Sequence, residues 1–280
     1  MSLMSKLFLT ILSLGSLVSA SDKDIVNFLK KGIGSNPNII SLDIKIVNKI
    51  PMNTPKGWEA YIIQLDGRAK AGAGKTREIS QRSIYFVGGG AITTDLYDVK
   101  TGEKLSNTVS PKFNTKYYDK QHRIYGNKDA AHKVVIFSDP LCPFCRTYVP
   151  EALKYMKKYP KTFALYYYHF PLKSLHPAAV TLVQAAYVAE AQGKKGIIEG
   201  MYRVKVDGHE TNQQKILDVF NKVQNTKITV KDINGVFAQK HLKHDMSVAQ
   251  EHLVNGTPTV FFDGVKDNSK MKYKNVKLIK

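Results

Sequence analysis

At 280 residues, with 43% hydrophobic content and no low-complexity tract, the chain can form one large domain or two of common size and is too apolar to be disordered. Its formal net charge of +19 raises a polyanion partner, but the lysines are spread along the whole chain, so we read a solvated basic surface and exclude nucleic acid. Having Cys142 and Cys145 as its only cysteines excludes a disulfide scaffold.

Residues 1–20 read as a secretory signal peptide. Lys6 precedes an apolar core from Leu7 to Val18, and Val18-Ser19-Ala20 forms a small-residue cleavage site. The stretch is short for a membrane span, so the mature chain is expected to start at Ser21. Residues 21–105 follow as a small α+β unit. Ile25, Phe28 and Leu29 mark one face of a helix over 22–32, and Ile40, Leu42, Ile44 and Ile46 alternate as in a half-buried strand. Further strands are expected over 59–65, 79–87 and 91–99, separated by glycine-bearing turns such as Gly88-Gly89-Gly90.

Residues 106–130 are polar, and we read them as a linker with a short helix over 116–123. The second domain, 131–280, opens with the apolar run Val134-Val135-Ile136-Phe137 leading directly to Cys142-Pro143-Phe144-Cys145. A helix over 145–159, carrying Pro150, and a strand over 163–170 complete a crossover unit. Residues 172–253 form a helical insertion, with helices expected over 178–192 and 213–223. The strand ending at Phe262 turns on Asp263-Gly264, a hairpin signal.

A strand delivering two cysteines to the first turn of a helix is how a thiol is made reactive, because the helix N-terminus stabilises a thiolate. Cys142, nearer the helix start and expected to be the more exposed, is the candidate nucleophile. Cys145, deeper, is the candidate resolving thiol. Pro143 suits the first helical turn; it and Phe144 are expected to tune the redox potential, with Phe144 beside the sulfurs. A metal site on the pair would need two further ligands, and none is expected. His241, His244, Asp245 and His252 lack zinc-enzyme spacing and read as solvated helix residues; His169 reads as structural. Gly74-Lys75-Thr76 lacks the earlier glycine of a phosphate-binding loop, since position 69 is Ala69.

Three segments together carry a resemblance: Phe137-Ser138-Asp139-Pro140-Leu141 before the cysteines, His169-Phe170-Pro171 after the second strand, and Gly256-Thr257-Pro258 before the third. With the signal, the N-terminal unit and the insertion, the chain resembles the bacterial DsbC/DsbG family of periplasmic thiol:disulfide interchange proteins. The resemblance implies a C-terminal thioredoxin fold with a helical insertion, a cystatin-like N-terminal dimerisation domain and a linker helix, hence α+β and α/β in one chain. It implies a homodimer, misoxidised or unfolded exported proteins as substrates, and no cofactor beyond the redox-active disulfide of Cys142 and Cys145. Pro258 matches the family's cis-proline and Thr257 its substrate-binding neighbour. The chain departs from the family in having no further cysteines and too little sequence after 264 for a closing helix; a short strand fits that end better.

The direction of electron flow stays open. An isomerase or reductase needs a DsbD-like membrane reductant, an oxidase a DsbB-like membrane oxidant. Thr257 and the dimerisation domain favour the isomerase, with a dimeric oxidase as the alternative and a chaperone with secondary redox chemistry as a third reading.

Overall fold

The computed structural model describes residues 20–72 and 74–279; the signal peptide expected over 1–20 lies outside them but for Ala20. The chain divides into two compact units between Val109 and Ser110. Among the described residues, no helix is long and apolar enough to cross a membrane.

The first unit begins with α1 (Asp22–Gly34). Ser21 starts it by accepting from the Asp24 N–H while the Asp24 carboxylate accepts from Ser21, a reciprocal cap. Ile25 and Leu29 bury one face against an antiparallel sheet. Phe28, expected on that face, is instead 61% exposed: its position three residues past Ile25 carries it to the edge of a narrow apolar stripe. The sheet has the order β1-β2-β3-β4, from β1 (Ile39–Pro51), β2 (Trp58–Lys70), β3 (Thr76–Gly88) and β4 (Ala91–Thr93). The first three are longer than the sequence pattern suggests, because pairing from Trp58↔Gly88 to Lys70↔Thr76 carries through polar positions. The last is shorter than 91–99. Asp95 N–H bonds back to Thr93, and the Asp98 carboxylate accepts from the Lys100 and Thr101 N–H groups, so turns replace the strand.

The second unit is built on a mixed sheet of order β5-β7-β6-β8-β9. Its strands are β5 (Arg123–Tyr125), β6 (His132–Ser138), β7 (Phe163–His169), β8 (Thr259–Phe262) and β9 (Val265–Lys266). β6 and β7 run parallel through the crossover helix α2 (Pro143–Met156), and β8 is antiparallel to β6. The Asp263-Gly264 hairpin forms as its sequence predicts, with both residues at positive φ (48° and 81°). The Asp263 carboxylate accepts from the Lys133 N–H at 2.8 Å and pairs with His132 Nδ1, tying the turn to β6.

Alternation along the strands sends side chains to two faces. Val134, Ile136, Leu165, Tyr167 and Val260 meet Cys145, Val149, Leu153 and Met156 of α2. Val135, Phe137, Tyr166, Tyr168 and Phe261 meet Phe113 together with Val248 and Ala249 of α7 (Val236–Glu251). The insertion adds α3 (Pro177–Ala191), α4 (Ile197–Met201), α5 (Gln213–Gln224) and α6 (Val230–Ile233) before α7. These helices share a core of their own, with α3 buried nearly all round.

The linker expected over 106–130 is corrected by this arrangement. From Ser110 on, the segment belongs to the second unit. Phe113 stacks on His252 at 4.5 Å and packs edge-on against Phe137 and Tyr168; burying such a ring stabilises by about 1.5–3 kcal/mol. A 3-10 turn at Thr115–Tyr117 and the strand β5 stand where a helix over 116–123 was expected. Gly126 (φ +77°) lets the chain pass β7: a Cβ there would lie 1.7 Å from the Phe163 carbonyl oxygen. After Gly264 the segment holds the short strand β9 and then a 3-10 turn at Lys272–Lys274, with no closing α-helix among the described residues. Tyr273, Val276 and Leu278 then cover the α2 side of the core.

Candidate active site

Cys142 is the N-cap of α2 and Pro143 occupies its first turn, so the helix begins two residues earlier than the sequence suggests. A proline costs nothing there, since its missing N–H would have no helical partner. Pro150 lies inside the helix, as expected. The two sulfurs differ in depth less than predicted: Cys142 is 5% exposed and Cys145 fully buried. Both thiols are free. Phe144 is 76% exposed, so it stands out from the site rather than lying beside the sulfurs.

The loop before β8 closes the site from the other side. The Thr257–Pro258 peptide bond is cis. The Thr257 carbonyl lies 3.6 Å from Cys142 Sγ and accepts from it, while Thr259 Oγ1 donates to the Gly256 carbonyl at 2.7 Å and tightens the loop. Cys142, Cys145, Pro143, Thr257 and Pro258 therefore meet at the carboxyl end of β6, where open α/β sheets place their sites.

Burial pushes the Cys145 thiol up to about 12, and the Ser138 hydroxyl acts in the opposite direction. That thiol is a poor nucleophile until something stabilises its anion.

Sequence reasoning missed two residues that shape the approach to Cys142. Asp139, fully buried, accepts from the Leu141 N–H at 2.7 Å with one oxygen; with the other it accepts from the Leu172 N–H at 2.8 Å and pairs with His176 Nδ1 at 3.0 Å. It thereby fastens the turn before the cysteines to the segment after His169-Phe170-Pro171. Arg146 donates to the carbonyls of Pro140 and Val204 at 2.9 and 2.8 Å. An aspartate between a strand and a proline is a turn signal, but nothing local shows its second partner.

The histidine group requires a correction. Asp245 and His252 are buried rather than solvated. Asp245 Oδ1 pairs with His122 Nε2 at 2.9 Å, and Oδ2 accepts from the His169 N–H at 2.8 Å and the Tyr187 hydroxyl at 2.6 Å. His122 Nδ1 pairs with Asp119 at 2.8 Å. Asp119, His122 and His244 bring one ligand atom each within 4.8 Å of one another; with both His122 nitrogens held by carboxylates, we read an ion pair there. His169 packs edge-on against Tyr167 and Tyr187, and its ring nitrogens find no partner among the described residues. Burial lowers its pKa to about 4 and keeps it neutral.

Burial lowers the pKa of His122, but the hydrogen bonds and charges of Asp119 and Asp245 outweigh it and raise the pKa from 6.5 to about 9. The bound proton thus stabilises the fold fully below pH 6.5, and that stabilisation disappears as pH rises through 9, about 3 kcal/mol in all. The urea midpoint is expected to fall between pH 6.5 and 9, and His122→Gln to flatten that fall. A parent midpoint that is level across the window would contradict the pairing.

The family model described as Thioredoxin matches residues 118–279. The chain belongs to the thioredoxin family. A thioredoxin-family domain carrying a dithiol at the head of its first crossover helix is a thiol–disulfide oxidoreductase. Solved structures similar to this thioredoxin-family chain include a thioredoxin-like oxidoreductase from Silicibacter pomeroyi DSS-3, 22% identical, covering 57% of this chain and 95% of that one at a TM-score of 0.43. ScsC from Proteus mirabilis in a compact conformation is 20% identical, covering 54% and 74% at 0.44. Oxidised BdbD from Bacillus subtilis is 17% identical, covering 60% and 95% at 0.43. No curated protein matches the sequence.

Proposed function

We propose that this chain is a periplasmic thiol:disulfide interchange protein of the DsbC/DsbG kind, working as a disulfide isomerase or reductase on misoxidised exported proteins. The observation that carries the reading is the meeting of Cys142, at the head of α2, with the Thr257 carbonyl beside Pro258. A Cys142 thiolate attacks one sulfur of a substrate disulfide, that S–S bond breaks, and one substrate sulfur leaves as thiolate. In isomerisation a second substrate thiolate then attacks the mixed disulfide and restores Cys142. In reduction the Cys145 thiolate attacks Cys142, releases the substrate and leaves an enzyme disulfide, which a DsbD-like membrane donor of two electrons must reduce. Thr257 and Pro258 present backbone to an extended substrate segment, and Pro143 and Phe144 set the potential. No cofactor or metal enters these steps.

Reactivation of scrambled ribonuclease by the reduced protein, set against oxidation of reduced ribonuclease by the disulfide form, tests the direction. Faster reactivation of the scrambled substrate supports the isomerase; efficient oxidation with no reshuffling would make the protein an oxidase. Protection of an unfolded substrate that survives loss of Cys142 would make it a chaperone first.

The first unit is proposed as a cystatin-like homodimerisation domain. Phe28, Ile40 and Val47 are exposed on it, and β1 is a long edge strand of its sheet; such edges are templates for pairing. Sedimentation is expected to give twice the mass of the mature chain for the parent and a monomer for Phe28→Glu combined with Val47→Glu. A monomeric parent at micromolar concentration would contradict it.

A further inference from the structure

The last residue of β6, Ser138, shares the α2-facing side of the sheet with Val134 and Ile136. Its Oγ lies 2.7 Å from the Tyr202 hydroxyl, which lies 2.6 Å from the Tyr167 hydroxyl. All three side chains are buried, and Tyr167 and Tyr202 pack in one cluster with Cys145. Either hydroxyl of each pair can donate; in one of the two orders Tyr167 donates to Tyr202, Tyr202 to Ser138, and Ser138 turns its hydrogen outward. Cys145 shares its cluster with both tyrosine rings, and the Ser138 hydroxyl opposes the effect of burial on its thiol. A single buried hydroxyl is a modest donor, but a chain in which each member is polarised by the one behind it is a stronger one.

We propose that Ser138, backed by Tyr202 and Tyr167, is the positioning group that stabilises the Cys145 thiolate in the resolving step. The inference rests on the dithiol reading above. When Cys145 attacks, its thiol proton passes to buffer or to the departing group, the Cys142–Cys145 bond forms, and the bond from Cys142 to the leaving sulfur breaks with its electron pair on that sulfur. The hydroxyls only turn their hydrogens; none is consumed. In the dithiol state the same chain can reverse, with the Cys145 S–H donating to Ser138, so it serves both ends of the step.

The test is stopped-flow reaction of the reduced full chain with a limiting aromatic disulfide, 5,5′-dithiobis(2-nitrobenzoate). The first chromophoric thiolate reports attack by Cys142, the second its displacement by Cys145. Losing a hydrogen bond to a charged acceptor corresponds to about a tenfold change in the thiolate equilibrium. Partly offset by the greater nucleophilicity of a more basic thiolate, this leaves the second phase of Ser138→Ala about threefold slower at neutral pH. Its pH profile is displaced upward by about one unit, and the first phase keeps its rate. Tyr202→Phe, which keeps the ring and removes only the oxygen, is expected to displace the profile in the same direction by less, and Tyr167→Phe by less again. Tyr202→Phe also carries the test if Ser138→Ala does not fold, and Ser138→Thr is expected to restore the parental profile. Superimposable second-phase profiles in the parent, Ser138→Ala and Tyr202→Phe would overturn the proposal. A parent that releases no second thiolate would overturn the dithiol reading itself, and the two failures are therefore distinct.

Discussion

Cys145→Ser is expected to hold the protein on its substrates as a mixed disulfide through Cys142, whereas Cys142→Ser captures nothing. The reason is positional. Cys142 caps α2, where unpaired backbone N–H groups favour an anion, and its sulfur lies against the loop that carries Pro258. Cys145 is fully buried, with its thiol pushed up to about 12; it can reach the neighbouring sulfur but not an incoming protein. Cys142→Ser is expected to lower turnover by on the order of a thousandfold or more, and Cys145→Ser to do the same to the reductive route, which needs both thiols, while release by a substrate thiolate survives. Non-reducing gels of cell extracts, with adducts identified by mass spectrometry, distinguish the two. Adducts on Cys142→Ser and none on Cys145→Ser would reverse the roles assigned to the thiols.

The second large effect is structural. Asp245→Asn is expected to destabilise the protein by about 3–5 kcal/mol, the usual consequence of breaking a buried ion pair. The buried carboxylate of Asp245 joins His122, the His169 backbone before the Pro171 turn, and Tyr187 of α3. An asparagine can still accept from His169 and Tyr187, but it then turns its amide hydrogens toward His122. The imidazole must give up its second proton to accept them. The stability lost is therefore largest at low pH, and the fall between pH 6.5 and 9 should shrink with it. Urea unfolding at pH 6 and pH 9 reads both effects. Equal parent and variant midpoints at pH 6 would show that Asp245 does not carry the load assigned to it.

What the sequence revealed, and what it hid, follows the range of the interactions. The dithiol, its strand and its helix were legible because their chemistry is local: an apolar run, two cysteines three positions apart, a proline suited to a first turn. The Asp263-Gly264 hairpin was legible for the same reason. Gly256-Thr257-Pro258 was legible only through its likeness to a family, since nothing in three residues says that they close on Cys142, 115 positions away. His122 and Asp245 are 123 positions apart, and each alone resembles a surface residue. Phe113 sits in a polar stretch that reads as a linker, and only the fold brings its ring against Phe137, Tyr168 and His252. The hydroxyls of Ser138, Tyr167 and Tyr202 come from β6, β7 and the turn after α4, and their meeting is a product of topology. The apolar alternation over 91–99 overstates β4 because the Thr93 hydroxyl and the Asp98 carboxylate satisfy the backbone locally.

The measurement that tests the central claim most directly is the thiol state of the purified full chain across glutathione buffers from reducing to oxidising, quenched with acid and read by alkylation and intact mass. The account predicts one cooperative two-electron transition, in which both free thiols become an intramolecular Cys142–Cys145 disulfide and return on reduction. Two thiols that stay alkylatable in the oxidising buffers, or that link only between chains, would contradict it.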